Sequence, residues 1–183
     1  HLPGLHGVQS LPGSAADVAG IIILGSGASV HDGFSWQVEL IEWLKPKLTD
    51  GVPVLGLCYG HQLLAHMFGG EVSLLWDGDK AKGMREVFLE PNTLWGPQIT
   101  DIFVVSHREG VTKCPENFDI VGRSPEVNCD AIAHRHLPIW GFQPHLEATA
   151  QFLTNNGIPG PTSLTVLKGG HGIVDQFLDT CAR

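Results

Sequence analysis

The sequence predicts an α/β fold: an open, mostly parallel central sheet with helices on both faces, plus a small antiparallel ribbon. Three observations lead there. The runs "GIIILG" (20–25) and "VPVLGLC" (52–58) are short, continuous and apolar, and read as strands buried on both faces. Each is followed by a stretch of helical periodicity, and strands joined through helices pair in parallel. With 183 residues the chain can bury one sizeable core, so 1–183 is read as a single domain.

The elements follow in order. The opening "HLPGLHGVQSLPG" is turn-rich and holds no convincing strand. After "GIIILG", Trp36, Leu40, Trp43, Leu44 and Leu48 share one helical stripe, with Ser35 as the expected N-cap. After "VPVLGLC", the segment "HQLLAHMF" is a short helix that Gly69 and Gly70 should stop. The middle of the chain changes character. "EVSLL", "REVFLE", "DIFVVS", "FDIVG" and "DAIAH" are short runs between turns and read as added antiparallel ribbons. "PIWGFQ" reads as a further core strand, and helices are expected after His145 and after His171.

Composition excludes several classes of function. Eleven basic and nineteen acidic residues leave a formal charge of −8, with no basic cluster, which argues against nucleic acid. No apolar stretch approaches the roughly 18 residues that a membrane span needs. Cys58, Cys114, Cys129 and Cys181 contain no CxxC pair, which speaks against a zinc cage or a dense disulfide framework and suits a reducing, cytoplasmic setting. His134 and His136 have metal-like spacing, but without further ligands they read as a solvated loop, so neither metal nor cofactor is expected.

"GLCYGHQ" (56–62) carries the chemistry. A strand, then glycine–x–nucleophile–x–glycine, then a helix is the pattern of a strained turn that presents its central side chain at the sheet edge. Gly56 and Gly60 occupy the positions where a β-carbon would collide with neighbouring backbone. The helix starting near Tyr59 aims its free N–H groups at the sulfur of Cys58, which favours the attacking thiolate. Such a thiolate needs a base, and the base needs an orienting group. In "GFQPHLEAT", His145 follows the last core strand, and in an extended segment Glu147 would share its face and could hold the ring. "LGSGASV" (24–30) puts small residues after the first strand, so a backbone N–H of this loop could join Tyr59 N–H in stabilising an oxyanion. His61 and His66 read as packing or surface residues.

Together these residues resemble the class I, triad-type glutamine amidotransferases, most closely their GMP synthase-like, stand-alone members. The family's G-x-C-x-G-x-Q falls on Gly56, Cys58, Gly60 and Gln62, and its histidine–glutamate pair on His145 and Glu147. Its oxyanion loop resembles Gly25–Ser29, with Ser26 at the oxyanion glycine and Gly27 in place of a rigid proline, so a looser loop is expected. Its Ser-His segment looks like Ser106 and His107, although His107 also reads as a strand-end surface residue. The resemblance implies a flavodoxin-like three-layer fold. It also implies that an apolar first strand, absent before "GIIILG", precedes His1 in the natural product.

The implied activity is hydrolysis of glutamine to glutamate and ammonia through a γ-glutamyl thioester on Cys58. Tyr59 and Ser26 would form the oxyanion hole, and Gly25, Gly27, Gln62, Ser106 and His107 would bind substrate. No ATP-pyrophosphatase or Walker loop is present, so either a separate synthetase subunit accepts the ammonia or the chain simply hydrolyses a γ-glutamyl bond. Two other readings stay open: a γ-glutamyl peptidase acting on glutathione-like compounds with the same triad, and a non-catalytic binding module.

Overall fold

The architecture follows from which side of each strand meets which helix. A computed structural model describes residues 1–13, 17–160 and 164–182. Its strands are β1 (Ile21–Ile23), β2 (Val54–Leu57), β3 (Glu71–Leu74), β4 (Ala81–Leu89), β5 (Ile99–His107), β6 (Glu109–Lys113), β7 (Phe118–Arg123), β8 (Ala131–His134) and β9 (Ile139–Phe142). The helices are α1 (Pro3–His6), α2 (Ser35–Thr49), α3 (Tyr59–Met67), α4 (Ala150–Asn156) and α5 (Lys168–Cys181).

Seven strands form one sheet in the order β1-β2-β9-β8-β7-β4-β5. β1, β2 and β9 run parallel, and the remaining neighbours pair antiparallel. The runs read as added ribbons thus continue the parallel core as one mixed sheet. The separate ribbon is β3 with β6. β6 lacks any apolar alternation and owes its strand state to β3 beside it.

The core strands β2 and β9 are buried at every position, with successive side chains packing on opposite faces. Val54 and Ile139 pack with Leu44 of α2 and Leu63 and Leu64 of α3, while Leu55, Leu57 and Phe142 pack with Ile173 and Phe177 of α5. Helices therefore cover both faces, as an α/β sheet requires. β1 departs from the expectation of full burial: Ile21 and Ile22 are half-buried and Leu24 is 53% exposed. The reason is position. β1 is an edge strand, and a cleft of about 830 Å³ runs beside it, between α2 and α5, lined in part by Ile22, Trp36, Trp43 and Phe177.

Two helix starts differ from expectation. Phe34, not Ser35, is the N-cap of α2, and its N–H is satisfied by Gln37 Oε1 at 2.9 Å. α5 begins at Lys168, ahead of His171, and its first turn presses on the chain at Gly170, where a β-carbon would lie 2.7 Å from Leu146 O. Among the described residues no helix is long and apolar enough to cross a membrane.

The sheet curls. β5 lies at the far end of the strand order, yet Val104 O accepts from His145 N–H at 2.8 Å, just beyond β9. This closure brings strands from opposite ends of the sheet to one place, the carboxyl end of β2.

Candidate active site

Cys58 follows β2 directly as the N-cap of α3, with φ 53° and ψ −101°. Left-handed φ in a non-glycine residue costs on the order of 1–3 kcal/mol and persists only where its surroundings enforce it. Here Cys58 N–H donates to Phe142 O at 2.8 Å, and Cys58 O accepts from Gln62 N–H at 3.1 Å. The flanking glycines allow the tight turn. A β-carbon on Gly56 would lie 2.5 Å from Gly60 C and O, and one on Gly60 would run into Ile23 O. The first N–H groups of α3 have no carbonyl within the helix, so they and the positive end of its dipole face the turn. The sequence placed Cys58 on an exposed turn, but it is only 5% exposed, because the loops after β1, β5 and β9 close over it.

His145 is also buried, at 6% exposure, and its ring hydrogen-bonds Cys58 on one side and Glu147 on the other. The Nδ1···Oε1 distance to Glu147 is 2.9 Å. The segment turns instead of running extended, with Ala148 N–H on His145 O at 3.2 Å. The turn brings the carboxylate to the ring all the same. Phe152 packs on the other face of the imidazole, with centroids 4.6 Å apart. Burial by itself would depress the imidazole, but the hydrogen bonds and charges of Cys58 and Glu147 outweigh it and raise His145 to about 9. At neutral pH the His145 ring is therefore protonated.

The loop after β1 borders the same space, since a β-carbon on Gly25 would lie 2.8 Å from His145 Cε1. Ser26 Oγ accepts from Ala28 N–H at 3.1 Å, while Gly27 has open space around it. Gln37 anchors this proline-free loop by donating to Ser29 O (2.7 Å) and Tyr59 Oη (3.0 Å). Tyr59 is buried, at the first turn of α3.

Gln62, Ser106 and His107 converge from α3 and β5. Gln62 Nε2 donates to Glu109 O at 2.8 Å, and His107 Nδ1 lies 2.8 Å from the same carbonyl. Ser106 O lies 4.0 Å from Cys58 Sγ. His107 is 4% exposed, which corrects its reading as a surface residue, and burial lowers it to about 4, leaving the ring neutral. Ser106 Oγ, His107 Nε2 and Glu147 Oε2 are buried without a protein hydrogen-bond partner.

The remaining histidines lie apart from this chemistry. His61 is fully buried, with Nε2 on Cys129 O at 3.0 Å, and desolvation drives it down to about 3. His66 is exposed. His134 Nδ1 accepts from His136 and Leu137 N–H, both at 3.0 Å, and so caps the turn between β8 and β9.

Sequence reasoning missed Gln37, Glu109, Gln143 and Phe152. Gln143 is 0% exposed and its Nε2 lies 3.7 Å from Cys58 Sγ. Only its place between a core strand and His145 hinted at a role. Glu109 carries no local signal, because its contacts come from distant segments folded together, whereas Gln37 at the third position of α2 caps Phe34 N–H, a local signal that could have found it.

A nucleophile-type turn carrying cysteine, beside a histidine–carboxylate pair at the carboxyl ends of the parallel strands β2 and β9, is the arrangement of a cysteine-hydrolase type of site on an α/β fold. The profile of the class-I glutamine amidotransferases matches residues 7–156. The chain belongs to that family of enzymes. It is 35% identical over 137 residues to the glutamine-hydrolysing GMP synthase of Lactococcus lactis subsp. lactis, covering 70% of this chain and 24% of the relative. It is 33% identical over 132 residues to a glutamine-hydrolysing GMP synthase subunit of Methanopyrus kandleri, covering 70% and 66% respectively. The chain thus spans about a quarter of the length of the former and under two thirds of the latter. Among solved structures, a glutamine amidotransferase from Methylobacillus flagellatus superposes with TM-score 0.76 at 20% identity, covering 98% of this chain and 87% of that one. One from Thermotoga maritima superposes with TM-score 0.71 at 17% identity, covering 87% and 77%. At such identities the structural likeness speaks for the fold.

Proposed function

We propose that the chain hydrolyses the γ-amide of glutamine with Cys58 as nucleophile, His145 as acid and base, and Glu147 as the group that orients the ring. The observation that carries this reading is the left-handed Cys58 beside a His145 whose Nδ1 is 2.9 Å from Glu147. The thiolate attacks the amide carbon, and the negative charge moves to the carbonyl oxygen, which Tyr59 and Ser26 N–H stabilise. The C–N bond breaks as His145 gives its proton to nitrogen, leaving ammonia and a γ-glutamyl thioester. His145, now neutral, takes a proton from water, the hydroxide adds to the thioester, and glutamate departs as the thiolate re-forms. Gly25, Gly27, Gln62, Ser106 and His107 hold the substrate, whose polar groups meet the unpartnered Ser106 Oγ and His107 Nε2.

The name of the Methanopyrus relative, one subunit of a GMP synthase, supports a separate synthetase subunit that accepts the ammonia. Ammonia release from glutamine, measured beside amine release from γ-glutamyl peptides, tests the substrate. Preferential cleavage of the peptides makes the chain a γ-glutamyl peptidase instead. A glutamine-mimicking electrophile should label Cys58 before Cys114, Cys129 or Cys181 and abolish hydrolysis at one equivalent, and Cys58→Ala should be inactive. Burial pushes the other three thiols up, Cys114 to about 11, which slows their reaction. A first adduct elsewhere with activity retained, or the absence of any hydrolysis, refutes the assignment, the latter in favour of a binding module.

A further inference from the structure

Gln143 leaves β9 with its backbone fixed, N–H on Asp130 O at 2.8 Å, and its side chain is shut away from solvent. Both ends of its amide are used. Oε1 lies 3.2 Å from Gln62 Nε2, and Nε2 lies 3.7 Å from Cys58 Sγ. The amide's orientation is determined by the chain of bonds behind it. Gln62 Nε2 also donates to Glu109 O at 2.8 Å, so the end of Gln62 that faces Gln143 is a donor. Gln143 must answer with its carbonyl, which leaves its NH₂ group aimed at the sulfur.

The sulfur sits between an acceptor and donors. Ser106 O, at 4.0 Å, can receive only the protonated thiol, and weakly. Gln143 Nε2 and the His145 ring can both donate, and a hydrogen bond to an ionised acceptor is about twice as strong as a neutral one. At 5% exposure the sulfur has little water to replace a lost donor.

We propose that Gln143 is a positioning residue for the nucleophile, its amide donating to the Cys58 sulfur to favour the thiolate and hold it in place, with Gln62 and Glu109 O setting the amide's direction. This rests on the reading of Cys58 as the nucleophile. It implies that Gln62 acts on the sulfur as well as on substrate, through the amide of Gln143. Gln143→Met removes the donor while keeping length and burial, and Gln143→Glu replaces it with an acceptor.

The test is alkylation of Cys58 by iodoacetamide in the full chain, followed by mass spectrometry across pH. The Met variant should react about tenfold more slowly at neutral pH, with the profile's midpoint about one unit higher, and the Glu variant more slowly still. kcat for glutamine should fall while KM moves little. A folded Met variant whose alkylation profile superimposes on the wild type overturns the proposal. Should neither variant fold, the side-chain NH₂ resonances of Gln143 in ¹⁵N-labelled wild type must shift with ionisation of Cys58, and unmoved resonances overturn it equally. Iodoacetamide requires no γ-amide recognition, so the two readings fail separately. A shifted profile in a chain that does not hydrolyse glutamine removes only the proposed function; an unshifted one in an active glutaminase removes only this inference.

Discussion

Replacing Gly25 by alanine should silence the site without unfolding the protein. The added methyl would lie 2.8 Å from His145 Cε1 and 3.7 Å from Cys58 Cβ. The first distance falls about 0.6 Å short of ordinary contact, so one partner must move. The ring cannot yield freely, since Glu147 holds Nδ1 at 2.9 Å and Phe152 covers its face. The alternative is for the loop to retreat, which carries Ser26 N–H away from the proposed oxyanion. Either movement misplaces a reacting group by a sizeable fraction of an ångström, and a misplacement of 1 Å costs about 10²-fold in rate. Stability should barely change, because Gly25 is exposed and has no positive φ that alanine would strain. The assay is kcat and KM for glutamine beside a urea unfolding curve. A folded Gly25→Ala chain with kcat within threefold of wild type would refute the packing of the loop on the ring.

Three further outcomes are expected. In Glu147→Gln the imidazolium loses the carboxylate's charge, so the alkaline limb of kcat/KM, expected near pH 9 from His145, should move towards neutral while the rate falls on the order of 10²-fold or more; an unmoved limb contradicts the pairing. His61 and His107, lowered to about 3 and about 4 by burial, stay neutral when folded, so the unfolded chain binds more protons below pH 6.5 and stability falls from there towards pH 4. His61→Leu should remove about 1.4 kcal/mol per pH unit of that slope in urea titrations, and an unchanged slope would contradict it. Arg85→Met strands Asp130, a wholly buried carboxylate that Arg85 meets at 2.9 Å, and should cost about 3–5 kcal/mol in urea unfolding, much of it recovered by adding Asp130→Asn; a loss below 1 kcal/mol would speak against the buried pair.

Local pattern alone made the core legible. Two glycine-bounded apolar runs, helical stripes after them and the spacing of Gly56, Cys58 and Gly60 determined where the chain turns and which side chain the turn presents, because backbone sterics act within a few residues. The pairing of His145 with Glu147 was legible too, although a turn rather than an extended strand achieves it. What local pattern could not determine was the neighbourhood of the sulfur. Cys58 looked exposed because its own segment is a turn, and only the folded sheet buries it. β1 looked fully buried because it is wholly apolar, but no residue type records that a strand lies at an edge. Gln143, Gln37 and Glu109 are polar residues scattered among ordinary neighbours, and their hydrogen bonds span 81, 22 and 80 positions of chain. The first two join α3 to the end of β9 and to α2, and the third forms when the curled sheet brings the β5–β6 turn to the loop after β1. Sequence periodicity records which face of an element is apolar; which distant loops share the space above it is decided by sheet closure.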